Sequence, residues 1–591
     1  MTTGEPLART LLQDGAVVLG GSLEDEAVAS NGDVTVIVDL ELTNLHDLQS
    51  LAGRGGRGAE VILALYLQDG IRFLRRLHGG FAVAVWDRGR GELAVAVDRF
   101  GVKRLYYLSD ARRTTFASRA SALRLSPVAP SVSVRTVFHY LNFGFVPAPM
   151  SAFSGVTRLA PGHVLRIHGG HVTTEAYSDV EYPEQRINRS KSAASIVRFV
   201  EQGVSRALQG RPMKEVGAFL SGGTDSSTVV GLMSRLTGEP VNAFSIGFNE
   251  PRYDELDYAR LAATHFGAHH HTKIITADEA LEALPRVVEA YDEPFGNDSA
   301  IGTYFCTRLA RDCGVDLLLA GDGGDEIFGG NERYVSDRVF ELYQYVPRIV
   351  RRQLLEPVLR IIPPKVKIID RAQRYVRRAN IPNPRRFFSY EFFFVEEAQR
   401  LLAPELLQSL DLDEPYALTE RHYRRARATS ELNRLLYLDL KLAIGDNDLL
   451  KVTQAAEVAG VQVRFPLLDP PLVKFTGLLP ARYKVRGFQK RYLFKRAFRD
   501  LLPPAIVAKR KHGFGVPTST WIKSHRGFRE LTRDTLCSTA AKARGYFRSG
   551  ALEHLLDSHD ADSSPYYGTI LWRVLMLELW QRRHGDRAVA A

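Results

Sequence analysis

Between residues 215 and 330, short apolar runs alternate with amphipathic segments. "EVGAFL", ending at Leu220, has strand length. "SSTVVGLMSRLTG" then places its apolar residues on one helical face and stops at Gly238, in the position of a C-cap. "VNAFSIGF" from Val241 predicts a second strand, and "DELDYARLAATHFG", Asp254 to Gly267, an amphipathic helix. "HHTKII" predicts a third strand and "ADEALEALPRVVEAYDEP" another helix. "VDLLLAGDGGDEIFGG" from Val315 predicts a strand that breaks into a Gly/Asp-rich loop. This alternation predicts an α/β fold with a doubly wound parallel sheet, whose ligands bind beyond the carboxyl ends of the strands. Nearer the N terminus, "GELAVAVDRF" and "GHVLRIHGG" read as strands joined by turns, and "SDVEYPEQRINRSKS" as a polar linker. The pattern divides the chain into a β-rich domain over 1–175, a linker over 176–190 and an α/β domain over 191–591 with a largely helical second half.

From Arg348 to Arg385, apolar and basic residues interleave at roughly helical spacing. We read this as a helical insertion packing on its own domain, the alternative being a membrane-surface or partner helix.

The chain has 591 residues, too many for one ordinary core. Charged residues at 25% and apolar residues at 45% are ordinary for a globular protein. No apolar run approaches the ~18 residues of a membrane span. The start shows no basic region followed by an apolar stretch, so no signal peptide is read. Cys306, Cys313 and Cys537 form neither a metal spacing nor a disulfide framework. Together these features give a cytoplasmic expectation. The 78 basic against 67 acidic side chains give +11, which suits anionic small-molecule substrates; no nucleic-acid partner is expected.

Ser221-Gly222-Gly223-Thr224-Asp225-Ser226 falls on a strand-to-helix turn. Glycines there allow a tight turn and close approach of a ligand, and free N–H groups at a helix start favour an anion. Asp225 fits an anion site once a divalent cation is shared with phosphate oxygens. No G-x-x-x-x-G-K-[ST] occurs, so this is not a Walker A loop. In a parallel sheet Asp225 and Asp325 would lie on neighbouring loops, able to hold one Mg²⁺ between them. His269-His270-His271 reads as the start of a strand rather than a metal site.

"SGGTDSS" resembles the pyrophosphate loop of PP-loop ATP pyrophosphatases. With "FSIGF", "YDEPFGNDSA", "GDGGDEIFGGNERY", "VRFPLLD" and "RKHGFGVP", all in order, the chain resembles the asparagine synthetase family across about 215–522. "LHGGFAVAVWD", "VDRFGVKRLYY" and "GFVPAP" resemble that family's Ntn-type glutaminase domain, an α+β sandwich. The resemblance implies that Ser221, Gly222, Gly223, Asp225, Ser226 and Ser227 hold the ATP phosphates, and that Leu220, Ile246 and Gly321 line the nucleoside. It implies Asp225 and Asp325 as Mg²⁺ ligands, Asp322 in the amide-forming half-reaction and Lys511 as a stabiliser of charge on pyrophosphate. Lys451 matches a further lysine of the family pattern. The implied cofactors are ATP and Mg²⁺, the partners a carboxylate substrate and ammonia or an amine, and a homodimer is compatible.

Three departures matter. A working glutaminase domain uses a cysteine at position two; here the chain has Thr2, and no cysteine precedes Cys306. The family's substrate loop is replaced by "DLELTN", Asp39 to Asn44, and Thr453 and Gln454 replace an acid–base pair. The expectation is an AMP-forming amide ligase that does not hydrolyse glutamine. Its alternatives are a cyclase like β-lactam synthetases and lasso-peptide cyclases, an RNA-modifying enzyme on the same loop, or a non-catalytic scaffold.

Overall fold

The computed structural model describes residues 9–14, 17–21, 27–53, 56–110, 112–125, 130–361, 367–389, 391–509, 515–562 and 565–586. The chain forms two compact units, one from 1–130 with 155–179, the other from 131–154 with 180–591.

The first unit is built on a six-stranded antiparallel sheet. Its order is His171–Ala176, His163–His168, Glu92–Val97, Gly79–Asp87, Val34–Leu42 and Val28–Ser30. Alternation along the strands sends neighbouring side chains to opposite faces. Val36, Val38, Val83 and Val85 join a core with Ile62 and Leu65 of the helix Gly58–Asp69. Ile37, Ala84, Val95 and Leu165 join a second core with Leu105 and Leu159. The "VDRFG" turn is held by the buried Asp98, whose carboxylate accepts the N–H groups of Phe100, Gly101, Val102 and Lys103 at 2.7–3.1 Å.

The second unit holds a five-stranded parallel sheet in the order His269–Ile275, Asn242–Phe248, Val216–Phe219, Leu317–Leu319 and Gln462–Arg464. Each apolar run expected to be a strand is one. The helices Thr224–Thr237, Leu256–Phe266 and Ala277–Ala290 follow their strands as expected. The chain steps outward twice from Val216–Phe219, then returns to place Leu317–Leu319 on its other side. The order therefore reverses between these two strands, and a doubly wound sheet opens a crevice at such a reversal.

Residues 131–154 cluster with the second unit because the helix Val134–Phe143 finds its partners there. Tyr140 Oη donates to Arg573 O at 2.9 Å, and the Phe143 ring meets Phe392 at 4.8 Å. The backbone N–H groups of Ala148 and Ala152 donate to Asp446 and Glu293. Within the expected linker, Glu181–Tyr182 pairs in parallel with Arg427–Ala428, and Asn188 caps the helix Arg189–Leu208. The basic insertion is helical over Arg348–Val350, Arg351–Leu355, Glu356–Ile361 and Lys367–Ala379. No helix among the described residues is long and apolar enough to cross a membrane.

Candidate active site

The loops after Val216–Phe219 and Leu317–Leu319 sit side by side at the reversal of the sheet and wall a cavity of about 480 Å³. The first loop turns through Gly222, whose φ is +64°. A Cβ on Gly222 would stand 2.5 Å from Ala259 N, so only glycine lets the loop pass this close to the helix Leu256–Phe266. Gly223 then begins the helix Thr224–Thr237 without a side-chain cap. The first-turn N–H groups of that helix have no intrahelical acceptor, which makes the turn an anion site. Ser221 and Ser226 clasp the loop: Ser221 N donates to Ser226 Oγ at 3.2 Å, and the two hydroxyls lie 3.1 Å apart. In the second loop a Cβ on Gly321 would meet Ser226 N at 2.9 Å, and one on Gly324 would meet Asp225 Cγ at 2.5 Å. The two loops interlock because both glycines lack side chains.

Asp225 and Asp325 are brought together as expected, through a residue the motifs did not indicate. Arg491 Nη1 donates to Asp225 Oδ1 at 2.6 Å, and its Nε to Asp325 Oδ1 at 2.9 Å. Arg491 and Asp325 are buried and Asp225 is partly so, and Arg491 adopts a left-handed backbone with φ +51°. A non-glycine held there is a strained position that its surroundings must enforce. The guanidinium thus stands as a cation between two carboxylates on the cavity wall. That donor chemistry fits Mg²⁺, which takes one or two carboxylates and completes its shell with phosphate oxygens and water. Among the described residues no group of three or more His, Cys, Asp or Glu could hold a metal alone.

Farther along the wall, Lys451 Nζ donates to Asp448 Oδ1 at 3.1 Å. Burial pulls the Lys451 pKa down, but Asp448, Asp322 and Asp298 outweigh it and hold it above the usual lysine value. Glu326 also lines the cavity; burial first, then Asp448 and Asp439, push its carboxyl well above the usual range. Lys509 sits beside the first loop, 3.2 Å from Glu255 Oε2, with its ammonium 4.4 Å from the Tyr258 ring centroid. Its pKa is lowered by burial despite Glu255.

Of the residues expected at the site, Leu220, Ser221, Gly223, Asp225, Ser226, Ile246, Gly321, Asp322, Asp325 and Lys451 line the cavity. Gly222 and Ser227 are not among its lining residues. Gly222 packs on the neighbouring helix, while the Ser227 hydroxyl is fully buried and without a hydrogen-bond partner. Lys511 lies outside the described residues. Thr453 and Gln454 bond within their own helix, to Leu449 O and Glu457, and are not among the lining residues. The three histidines form strand as expected, with His270 Nε2 2.7 Å from Ser245 Oγ. Arg491 and Lys509 carry no local motif; the only trace was a "QKRY" cluster and a lysine two positions before Lys511.

The family model for asparagine synthase matches residues 199–582, which include both loops and every cavity wall described above. The chain belongs to the asparagine synthase family. A model for a glutamine amidotransferase domain matches 24–178, which span the six-stranded antiparallel sheet. Glutamine-hydrolysing asparagine synthetase 1 of Bacillus subtilis is 25% identical over 567 residues, covering 95% of this chain and 86% of its own length. A Mycobacterium bovis protein described as a glutamine-hydrolysing asparagine synthetase is 28% identical over 563 residues, 93% of this chain and 83% of its own. Amidase chry2 of Gibberella zeae is 27% identical over 305 residues, 49% of this chain and 45% of its own. Membership makes this asparagine synthase-family chain, in kind, an ATP-dependent ligase forming carbon–nitrogen bonds.

Proposed function

We propose that the protein activates a carboxylate as an acyl-adenylate and passes the acyl group to ammonia or an amine, without hydrolysing glutamine. The observation that carries this reading is the meeting of Asp225 and Asp325 on one cation, beside an uncapped helix start, where the sheet order reverses. A carboxylate oxygen attacks the α-phosphorus of ATP and pyrophosphate leaves. The amine nitrogen then attacks the carbonyl carbon, AMP leaves and the nitrogen gives up a proton.

In this reading Ser221, Gly223 and Ser226 hold the β- and γ-phosphates, and Leu220, Ile246 and Gly321 line the nucleoside. Mg²⁺ held by Asp225 and Asp325 would neutralise phosphate charge. Arg491 exchanges the carboxylates for phosphate oxygens, which its planar fork also fits. Lys451, kept charged by Asp448 and Asp322, faces the oxyanion formed when the amine attacks; one such donor is typically worth about 3 kcal/mol. Asp322 accepts the proton from the amine. Lys511 stabilises charge on pyrophosphate.

Loss of glutamine hydrolysis is supported by the absence of any cysteine before Cys306. It is also supported by the segment that replaces the glutamine loop, whose polar groups serve the fold. Asp39 and Glu41 pair with Lys103, and Asn44 bonds Arg76 O and His78 N. A second reading, ring closure within one substrate, is favoured by the carboxylates of Asp322 and Asp448 on the cavity wall, which suit a substrate carrying its own amine.

Pyrophosphate release with MgATP, screened over carboxylic acids with ammonium, primary amines or glutamine, tests these readings. Release with ammonium or an amine but never with glutamine alone supports the first. Release needing no added amine supports the second. Glutamine-driven release, or release unchanged in Asp225→Ala, overturns the assignment.

A further inference from the structure

The basic insertion does not bury all of its apolar side chains. Its helix Lys367–Ala379 is anchored: Tyr375 stacks on Phe340 at 5.2 Å and donates to Val339 O at 2.6 Å. The stretch before it is different. Leu342, Tyr345, Ile349, Val350, Leu354 and Leu355 are all exposed, Tyr345 at 76% and Ile349 at 69%. No other described stretch of that length exposes more than two large apolar side chains. A cluster of this kind in water marks a surface that is covered in use.

The charge of the same stretch says what covers it. From Leu342 to Leu355 there is no acidic residue, but there are three arginines. Arg351 turns inward, donating to Gln344 Oε1 at 2.7 Å and lying over the Tyr343 ring. Arg348 and Arg352 are exposed among the apolar side chains. Cations interleaved with Leu, Ile and Tyr complement a layer that is anionic at its face and apolar just beneath.

We propose that Leu342–Leu355 docks this protein on the surface of an anionic lipid bilayer. Leu342, Tyr345, Ile349 and Leu354 enter the boundary between headgroups and acyl chains, while Arg348 and Arg352 meet lipid phosphates. The chain lies on the membrane without crossing it, in keeping with the lack of a spanning helix among the described residues. The helix Glu332–Gln344 starts at the cavity wall beside Asn331 and Arg333 and ends in this patch. Its 13 residues span about 20 Å, so docking would hold the cavity close to the lipid face.

The test is co-sedimentation of the full chain with vesicles of phosphatidylcholine alone or mixed with phosphatidylglycerol. Two exposed arginines at about 1 kcal/mol each give about 30-fold tighter partitioning onto the anionic vesicles, falling as salt is raised. Ile349→Glu with Leu354→Glu is expected to abolish binding. Because both side chains are exposed and neither lines the cavity, pyrophosphate release and thermal midpoint should stay unchanged. Equal partitioning onto neutral and anionic vesicles, or none onto either, overturns the proposal. So does a concentration-dependent dimer in light scattering that the same double variant dissolves, since a second copy would then cover the patch.

Discussion

Arg491→Met removes the guanidinium that joins Asp225 to Asp325. The arginine side chain is 8% exposed and the two carboxylates 13% and 11%, so water screens the change poorly. Breaking a buried ion pair by deleting one partner costs about 3–5 kcal/mol. A separate route gives the same size: carboxylates bonded to one guanidinium lie on the order of 4–5 Å apart and repel by about 4 kcal/mol at an effective dielectric near 20. Urea unfolding followed by tryptophan fluorescence reads this out, since Trp521, Trp572 and Trp580 all belong to the second unit. In EDTA the variant should lose about 3–5 kcal/mol. Millimolar Mg²⁺ should restore much of that loss in the variant and do little to the parent protein, whose guanidinium already fills the place of a cation. Arg491→Lys, which keeps charge but not the fork, should fall between them. A variant as stable as the parent in EDTA, or one that Mg²⁺ does not rescue, would refute the idea that these carboxylates form a single cation site.

Two further substitutions probe the loop and the core. Gly222→Ala places a side chain at φ +64°, 2.5 Å from Ala259 N. The backbone alone costs about 1 kcal/mol and the clash adds to it, so both thermal midpoint and calorimetric MgATP affinity should drop; unchanged affinity would remove Gly222 from the loop's function. Lys484 is fully buried, donates to Asn433 Oδ1 at 2.7 Å, and burial pushes its pKa from 10.5 down to about 7. Between those values the unfolded chain binds the proton that the fold has released, so stability should rise with pH across that window. Lys484→Met should raise the thermal midpoint at pH 7 and flatten that rise; an unaltered pH slope would show that another group sets it.

Much of the fold was legible because the second unit's strands are short apolar runs between amphipathic segments, a pattern that only a covered parallel sheet satisfies. Gly222 and Gly321 were legible as glycines in loops, but their reason was not. Each fits against backbone from a distant segment, at Ala259 and Ser226. Where the helix Val134–Phe143 packs was not legible, because "FHYLNFGF" shows that a helix face is apolar without showing which core takes it.

Local order decided the turn after Val216–Phe219, the helix that follows and the presence of two carboxylates, since those follow from glycine freedom, apolar spacing and the charge each residue carries. Tertiary structure decided what stands between the carboxylates. Arg491 follows Asp325 by 166 residues, yet sits 2.6 Å from Asp225, its backbone in the left-handed region. Sequence spacing cannot encode such a contact. It exists because the sheet reverses order at one crevice, and a chain returning to that crevice must neutralise the buried charge it finds there.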